Sequence, residues 1–109
     1  MEIINSDEKL DKLIIEEEML LVYFGNESCS ICVDMKPKVE KMLEKYPKIK
    51  AVEIKTEDNL KITRKHNIFT IPGIVMFIDG KETIREARYI SIEDMDNRIF
   101  RYYNMFYNS

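Results

Sequence analysis

The hydrophobic pattern of the chain is dominated by two continuous apolar runs, at residues 19–24 and 74–78. Runs of this length and composition are typical of strands that are covered on both faces. Residues 49–54 form a third, more mixed segment in which Val52 and Ile54 share one face, and a second buried strand is predicted there. These three segments predict a sheet that lies between layers of helices.

A hairpin is predicted directly after the second apolar run. Asp79 and Gly80 form a dipeptide that favours a tight turn, because both residue types accept the positive φ angles that such a turn requires. Residues 83–90 would then be the partner strand. Their mixture of polar and apolar side chains indicates a strand at the edge of the sheet.

Amphipathic segments lie between the strands. Ser6 predicts a helix N-cap, with the acidic residues Asp7 and Glu8 in the first turn. The longest predicted helix spans residues 30–46 and is expected to kink at Pro37, whose ring interrupts the hydrogen-bond pattern of a helix. Its core-facing side comprises Met35, Val39, Met42, Leu43 and Tyr46.

Two further helices are predicted in the second half of the chain. A short one over residues 56–66 is expected to contact the core through Leu60. The last one starts with Ser91 as its N-cap and runs to residue 107. Its core face is expected to contain Met95, Ile99, Tyr102 and Phe106, beside a second stripe of Phe100, Tyr103 and Tyr107. That second stripe is either a wider core face, a partner surface or a homodimer contact.

The alternation of these elements predicts an α/β fold. The 109 residues have the length of one domain, covering residues 1–109, and 45% of them are hydrophobic.

The net charge of the chain is −3. A protein whose main partner is nucleic acid or an anionic membrane would have an excess of basic residues instead. No run is long enough to span a bilayer, and residues 1–8 lack the features of a signal peptide. A cytoplasmic monomer or weak homodimer is therefore expected.

The segment Cys29-Ser30-Ile31-Cys32 carries the chemistry suggested by the sequence. It follows a predicted strand and opens a predicted helix, whose first turn offers free N–H groups and the positive end of the helix dipole. These features stabilise a thiolate at Cys29, which makes Cys29 the expected nucleophile. Cys32 lies one turn later and is expected to close a disulfide with Cys29, so that the pair exchanges between dithiol and disulfide.

Two other roles of the cysteines remain open from the residues alone. A zinc site normally needs about four ligands, and one chain offers Cys29, Cys32 and the single histidine, His66. Four thiolates from two chains could also hold a metal, although no metal is expected here. The cysteines could also simply fill the core. His66 itself is expected at the surface or at a helix end.

These segments resemble the thioredoxin family over nearly the whole chain. Residues 20–24 and the CxxC motif match the central strand and active-site turn of the family, and Pro37 matches its helix-kinking proline. Thr70-Ile71-Pro72, with the strand and hairpin that follow, resembles the family's cis-proline segment. The resemblance implies a thioredoxin fold: a central mixed sheet of four or five strands flanked by about four helices.

The resemblance also implies a thiol–disulfide oxidoreductase that reduces disulfide-containing protein substrates. A cis Ile71–Pro72 bond would pack opposite Cys29 and keep metal away from the cysteines. The backbone of Ile71 would pair with a substrate strand, and Ser28, Ile31 and Gly73 would form the rim of the site. Electrons would come from a separate reductase or a low-molecular-weight thiol, and no cofactor is required.

The chain departs from the family at several of these positions. It has no tryptophan. Tyr23 replaces the buried aspartate of many thioredoxins, and Glu53 replaces a nearby lysine. Glu53 either supplies the missing carboxylate as an acid and base for Cys32, or it faces water. Arg88 stands where the family has a glycine, and is either a positive contact in the substrate groove or a solvated side chain.

These departures keep two alternative functions open. The chain could be a thioredoxin-fold binding or redox-sensing module without turnover. A glutathione-linked enzyme of the glutaredoxin type is a weaker possibility, because the length of the chain and Pro37 argue against it.

Overall fold

A computed structural model of the chain describes residues 1–108. The strands are β1 (Glu2–Ile3), β2 (Met19–Gly25), β3 (Lys50–Lys55), β4 (Gly73–Ile78) and β5 (Lys81–Ala87). The α-helices are α1 (Asp7–Glu16), α2 (Ser30–Leu43), α3 (Leu60–Lys65) and α4 (Ile92–Asn108), and a 3₁₀ turn covers Thr56–Asp58. None of these helices is both long enough and apolar enough to cross a membrane.

The strands form one mixed sheet in the order β1-β3-β2-β4-β5. The first three strands in that order are parallel, β4 runs antiparallel to β2, and β5 runs antiparallel to β4. The prediction of a mixed sheet flanked by four helices is therefore confirmed, as is the edge position of β5. The two-residue strand β1 was not predicted, because two residues are too few to show a periodic pattern.

The alternating side chains of β2 separate two apolar layers, as the period of two in a strand requires. Met19, Leu21 and Tyr23 face the layer that contains residues of α2 and α4. Leu20, Val22 and Phe24 face the layer that contains residues of α1 and α3. All six side chains are at most 1% exposed, so β2 is the centre of the fold. The cysteine turn therefore follows the most completely buried strand of the fold.

The start of α1 and the core face of α2 agree with the predictions. The Ser6 hydroxyl accepts a hydrogen bond from the N–H of Lys9 at 3.1 Å, as an N-cap should. The helix α2 ends at Leu43, three residues earlier than predicted, and Pro37 lies within it. The predicted core side chains of this helix are buried or packed against the core: Met35, Val39, Met42, Leu43 and Tyr46.

The prediction that Leu60 contacts the core is wrong. Leu60 is 56% exposed, and Ile62 is the buried residue of α3. Residues 56–66 do not form one continuous helix, because the 3₁₀ turn ends at Asp58 and α3 begins anew at Leu60. This break changes the rotational phase of the helix, and a different side chain therefore faces the sheet.

The core face of α4 also differs from the predicted one. Met95, Ile99 and Phe106 pack as expected, but Tyr102 is 37% exposed. Tyr103 takes its place: its ring lies 5.1 Å from that of Tyr46, and its hydroxyl accepts a hydrogen bond from the N–H of Lys48. The second stripe is thus divided, because Tyr103 and Tyr107 widen the core face whereas Phe100 is 57% exposed.

Candidate active site

The turn between β2 and α2 is organised by Asn26. Its side-chain oxygen accepts hydrogen bonds from the N–H of Ser28 at 2.8 Å and from the Ser28 hydroxyl at 2.6 Å. Its backbone oxygen accepts another from the N–H of Cys29 at 3.1 Å. The sequence places Asn26 in the break after the apolar run, where an asparagine favours a turn, but the role of its side chain in this turn was not predicted.

Cys29 is the N-cap of α2, and its sulfur accepts a hydrogen bond from the N–H of Cys32 at 3.2 Å. Both cysteines are free thiols; Cys29 is partly exposed, whereas Cys32 is only 3% exposed. Cys29 is therefore the accessible member of the pair, and its sulfur lies at the N-terminus of α2.

Tyr23 holds Cys32 in place in the first turn of α2. The Tyr23 hydroxyl donates a buried 2.6 Å hydrogen bond to the carbonyl oxygen of Cys32. Burial, followed by the hydrogen bond to Cys29, raises the pKa of the Cys32 thiol to about 12. Burial also raises the pKa of Tyr23 well above its ordinary value. Both groups therefore stay protonated near neutral pH.

Glu53 lies in a cavity of about 190 Å³ behind the cysteine pair, and Cys32 lines the same cavity. Glu53 is only 7% exposed, and its carboxylate accepts a 2.8 Å hydrogen bond from the ammonium group of Lys36. The alternative that Glu53 faces water is therefore wrong, because β3 is covered on both faces at this point. Lys36 was overlooked, although a residue four positions after Cys32 lies on the same face of a helix.

The proline loop lies at the same end of the sheet as the cysteine turn. Gly73, the first residue of β4, is paired with Phe24 near the end of β2. The Ile71–Pro72 peptide bond is cis, the geometry that the resemblance implies. Ile71 is half-buried, and Pro72 and Gly73 are buried beneath it. Only Ile71 of this trio is therefore partly exposed, and Gly73 does not lie on the exposed rim that the resemblance implies.

The surroundings of the cysteine turn and the proline loop include several exposed apolar side chains. Ile31 beside the cysteines is 50% exposed, Phe69 in the proline loop is 88% exposed and Tyr89 after β5 is 80% exposed. Ser28 is exposed as well. Phe69 and Tyr89 were overlooked, because single aromatic residues in loops carry no periodic signal.

Among the described residues, the only metal-ligand groups that converge are those of Asp7, Asp11 and His66, whose ligand atoms lie within 4.8 Å of one another. Neither cysteine joins this group. The ammonium group of Lys65 lies 3.1 Å from Asp7 and 2.7 Å from Asp11 and forms an ion pair with each carboxylate. His66 follows α3 as its C-cap, and burial lowers the pKa of its imidazole.

Comparisons with known proteins agree with this geometry. The family model described as Thioredoxin matches residues 2–99. A thioredoxin-like protein of Bacillus subtilis is 27% identical over 97 residues, which cover 89% of this chain and 87% of that protein. A thioredoxin of Chlamydia pneumoniae is 27% identical over 91 residues, which cover 84% of this chain and 85% of that one.

Solved structures show the same architecture. A thioredoxin structure from Plasmodium falciparum matches with a TM-score of 0.85 at 22% identity, covering 94% of this chain and 99% of that one. The thioredoxin of Fasciola hepatica matches with a TM-score of 0.84 at 25% identity, covering 93% and 98%. The family match and the Cys29–Cys32 pair at the start of α2 together show that the chain belongs to the thioredoxin family of thiol–disulfide oxidoreductases.

Proposed function

We propose that the chain reduces protein disulfides through two successive exchanges, with Cys29 as nucleophile and Cys32 as resolving thiol. In the first exchange the Cys29 thiolate attacks one sulfur of the substrate disulfide, forms a mixed disulfide and releases the other substrate sulfur as a thiolate. The observation that carries this assignment is the difference in burial, since Cys29 is accessible and Cys32 is 3% exposed.

The second exchange releases the substrate. Cys32 loses its proton, attacks the Cys29 sulfur and displaces the second substrate thiolate, which leaves the Cys29–Cys32 disulfide. Two electrons have then passed to the substrate, whose two thiolates take up protons. Because burial raises the pKa of the Cys32 thiol, this step needs a base at neutral pH. We assign that role to Glu53, whose carboxylate lines the same cavity as Cys32.

The substrate is proposed to bind across the proline loop. An extended substrate segment would add backbone hydrogen bonds to Ile71, as a short strand added to a sheet edge does. Pro72 and Gly73 would support Ile71 from beneath, since both are buried. Ser28 and Ile31 would form the exposed rim on the cysteine side.

The oxidised pair must be reduced again before the next cycle. A separate dithiol reductase, or two molecules of a low-molecular-weight thiol, would supply the two electrons by the reverse sequence of exchanges. The cycle uses sulfur chemistry alone and needs no metal or organic cofactor. One copy of the chain contains both cysteines, so a monomer or weak homodimer in the cytoplasm would suffice.

Trapping of the mixed disulfide tests the assignment of the two cysteines. Cys32→Ser should accumulate a covalent adduct with a peptide that carries one intramolecular disulfide, and intact mass should locate it on Cys29. Cys29→Ser should form no such adduct and should lose turnover. Ser30→Ala, between the two cysteines, is the matched control and should retain turnover.

Two results would contradict the proposal. One is capture of the peptide by Cys32 in the Cys29→Ser variant at a rate like that of Cys29. The other is a wild-type pair that never forms an intramolecular disulfide in thiol–disulfide redox buffers. The second result would leave the binding or redox-sensing module as the function.

A further inference from the structure

Arg88 is fixed beside the proline loop by its backbone. It follows the end of β5 with a φ of 68°, in the left-handed region that favours glycine. Its N–H donates a 2.7 Å hydrogen bond to the carbonyl oxygen of Pro72. The side chain of Arg88 therefore starts one hydrogen bond away from the loop that is proposed to bind substrate. Glycine would adopt this conformation with less strain, so the local backbone does not explain an arginine here.

The guanidinium group of Arg88 is exposed and carries an uncompensated charge. It lies 5.3 Å from the centre of the Tyr89 ring, within the range of a cation–π contact. Neighbouring charges on β5 are paired, Arg85 with Glu82 and Glu86 with Arg98. No carboxylate among residues 1–108 forms an ion pair with Arg88. Tyr89 thus orients a cation that still has its hydrogen-bond donors free.

We propose that Arg88 and Tyr89 select protein substrates in which an aspartate or glutamate lies close to the reacting cysteine. The proposal rests on the proposed pairing of substrate with Ile71, which would carry the residues next to the reacting sulfur past Arg88. A guanidinium group recognises a carboxylate through two parallel N–H donors. The chain as a whole has a charge of −3, so a local contact rather than long-range attraction would provide this preference.

The apolar side chains around the site favour an extended polypeptide over a small thiol compound. Phe69 is 88% exposed in the same loop as Ile71, and Ile31 is 50% exposed beside the cysteines. A segment that reaches these side chains as well as Arg88 must be several residues long. A tripeptide disulfide such as glutathione disulfide offers carboxylates but little apolar surface for such contacts.

Matched peptides test the charge preference. Three peptides with one intramolecular disulfide would differ only beside the first cysteine, with aspartate, asparagine or lysine. The wild-type chain should reduce the aspartate peptide about 3- to 10-fold faster than the lysine peptide at low salt, the size of one exposed charge contact. Added salt should bring the ratio of the aspartate-peptide rate to the lysine-peptide rate closer to 1, because salt screens exposed charges.

Variants of Arg88 assign the preference to this side chain. Arg88→Gln should bring the aspartate-to-lysine ratio close to 1, whereas Arg88→Lys should keep most of it. Lys81→Gln removes the same charge from the other end of β5 and should leave the ratio and the rate with the asparagine peptide unchanged. An unchanged ratio in Arg88→Gln would overturn the proposal.

The possible outcomes distinguish the proposed role of Arg88 from the proposed reduction of disulfides by Cys29 and Cys32. If the wild-type chain reduces none of the three peptides, the proposed reductase function fails. If it reduces all three at equal rates, only the role of Arg88 fails. If Arg88→Gln slows the reduction of glutathione disulfide but not of the aspartate peptide, the proposal is overturned, because Arg88 would then serve a small thiol compound.

Discussion

The hydroxyl of Tyr23 donates a 2.6 Å hydrogen bond to the carbonyl oxygen of Cys32. This contact joins the central strand to the first turn of α2 at the backbone of Cys32. Tyr23 occupies the place of a buried aspartate in many thioredoxins, but its raised pKa keeps the phenol protonated, so it cannot take a proton from Cys32 near neutral pH. Two residues therefore share the tasks that one aspartate performs in those proteins. Tyr23 holds the backbone of Cys32, and Glu53 on the neighbouring strand supplies the carboxylate near Cys32.

Removal of the Tyr23 hydroxyl tests the first of these tasks. Tyr23→Phe should lower the free energy of unfolding by about 1 kcal/mol, the usual loss for one buried hydrogen bond. Urea denaturation of the reduced protein would measure it. Tyr89→Phe removes an exposed hydroxyl and is the matched control, which should change stability by less than about 0.5 kcal/mol. Equal stability of Tyr23→Phe and wild type would mean that the contact contributes nothing.

Replacement of Glu53 tests the second task. Glu53→Gln should slow the release of substrate from the mixed disulfide about 10-fold or more at neutral pH, because Cys32 loses its proposed base. The slowing should disappear as the pH rises and hydroxide takes over the proton. Stopped-flow measurement of the second exchange across neutral and mildly alkaline pH would show this profile.

The exposed carboxylate of Glu57 provides the matched control for that experiment. Glu57→Gln removes a charge of the same sign and should leave the second exchange unchanged. Glu53→Gln should also cost stability, because Lys36 loses its partner. A variant that is less stable but has the wild-type pH profile would show that Glu53 has a structural role alone.

The buried thiol predicts a distinctive pH dependence. In Cys29→Ser, alkylation of Cys32 should be at least about 100-fold slower than that of a free cysteine at pH 8, because a raised pKa leaves little thiolate. The rate should rise about tenfold per pH unit beyond pH 9, where an ordinary thiol levels off. Urea-unfolded Cys29→Ser should react like free cysteine. A plateau near pH 9 in the folded variant would refute the raised pKa.

The same shift predicts the stability of the reduced protein in alkali. The pKa of Cys32 is about 12 in the folded chain, against an ordinary value of 9.0. Between these values the unfolded chain binds fewer protons than the folded one, so stability should fall as the pH rises above about 9. Cys32→Ser should lose less stability than wild type over that range, as measured by denaturant titration.

A side chain at position 25 is predicted to lower the stability of the protein. A Cβ atom at this position would lie 3.3 Å from the Cβ of Cys32 and 3.3 Å from the ring of Tyr23. Gly25→Ala should therefore destabilise the protein by about 1 to 3 kcal/mol, since neither neighbour can move freely. Thermal unfolding would measure the loss.

Gly73 offers the matched control in the adjacent strand. A Cβ atom there would meet its neighbours at 3.6 Å or more, which is ordinary contact. Gly73→Ala should change stability by less than about 0.5 kcal/mol. Similar losses in both variants would show that crowding at Cys32 is not the cause.

Local patterns were sufficient for most elements of the fold. The apolar run of β2, the N-cap at Ser6 and the turn at Asp79-Gly80 depend on neighbours a few residues away, and those neighbours are visible in the chain. The two cysteines stand between an apolar run and an amphipathic segment, and this local order likewise predicted that the reactive pair lies at the start of a helix. The predictions were wrong where a difference of one or two residues in helical phase decided the outcome, as for Leu60 and Tyr102, because packing against distant residues selects between neighbouring positions.

The amino-acid sequence by itself therefore determined the fold class, the order of the elements and the identity of the reactive pair, since each depends on local chemistry and spacing. Only the tertiary structure decided the surroundings of that pair. It buried Glu53 beside Lys36, brought the Tyr23 hydroxyl to Cys32 and set Arg88 against Pro72. These contacts join residues from different elements, and the side chains that meet across them share no pattern along the chain.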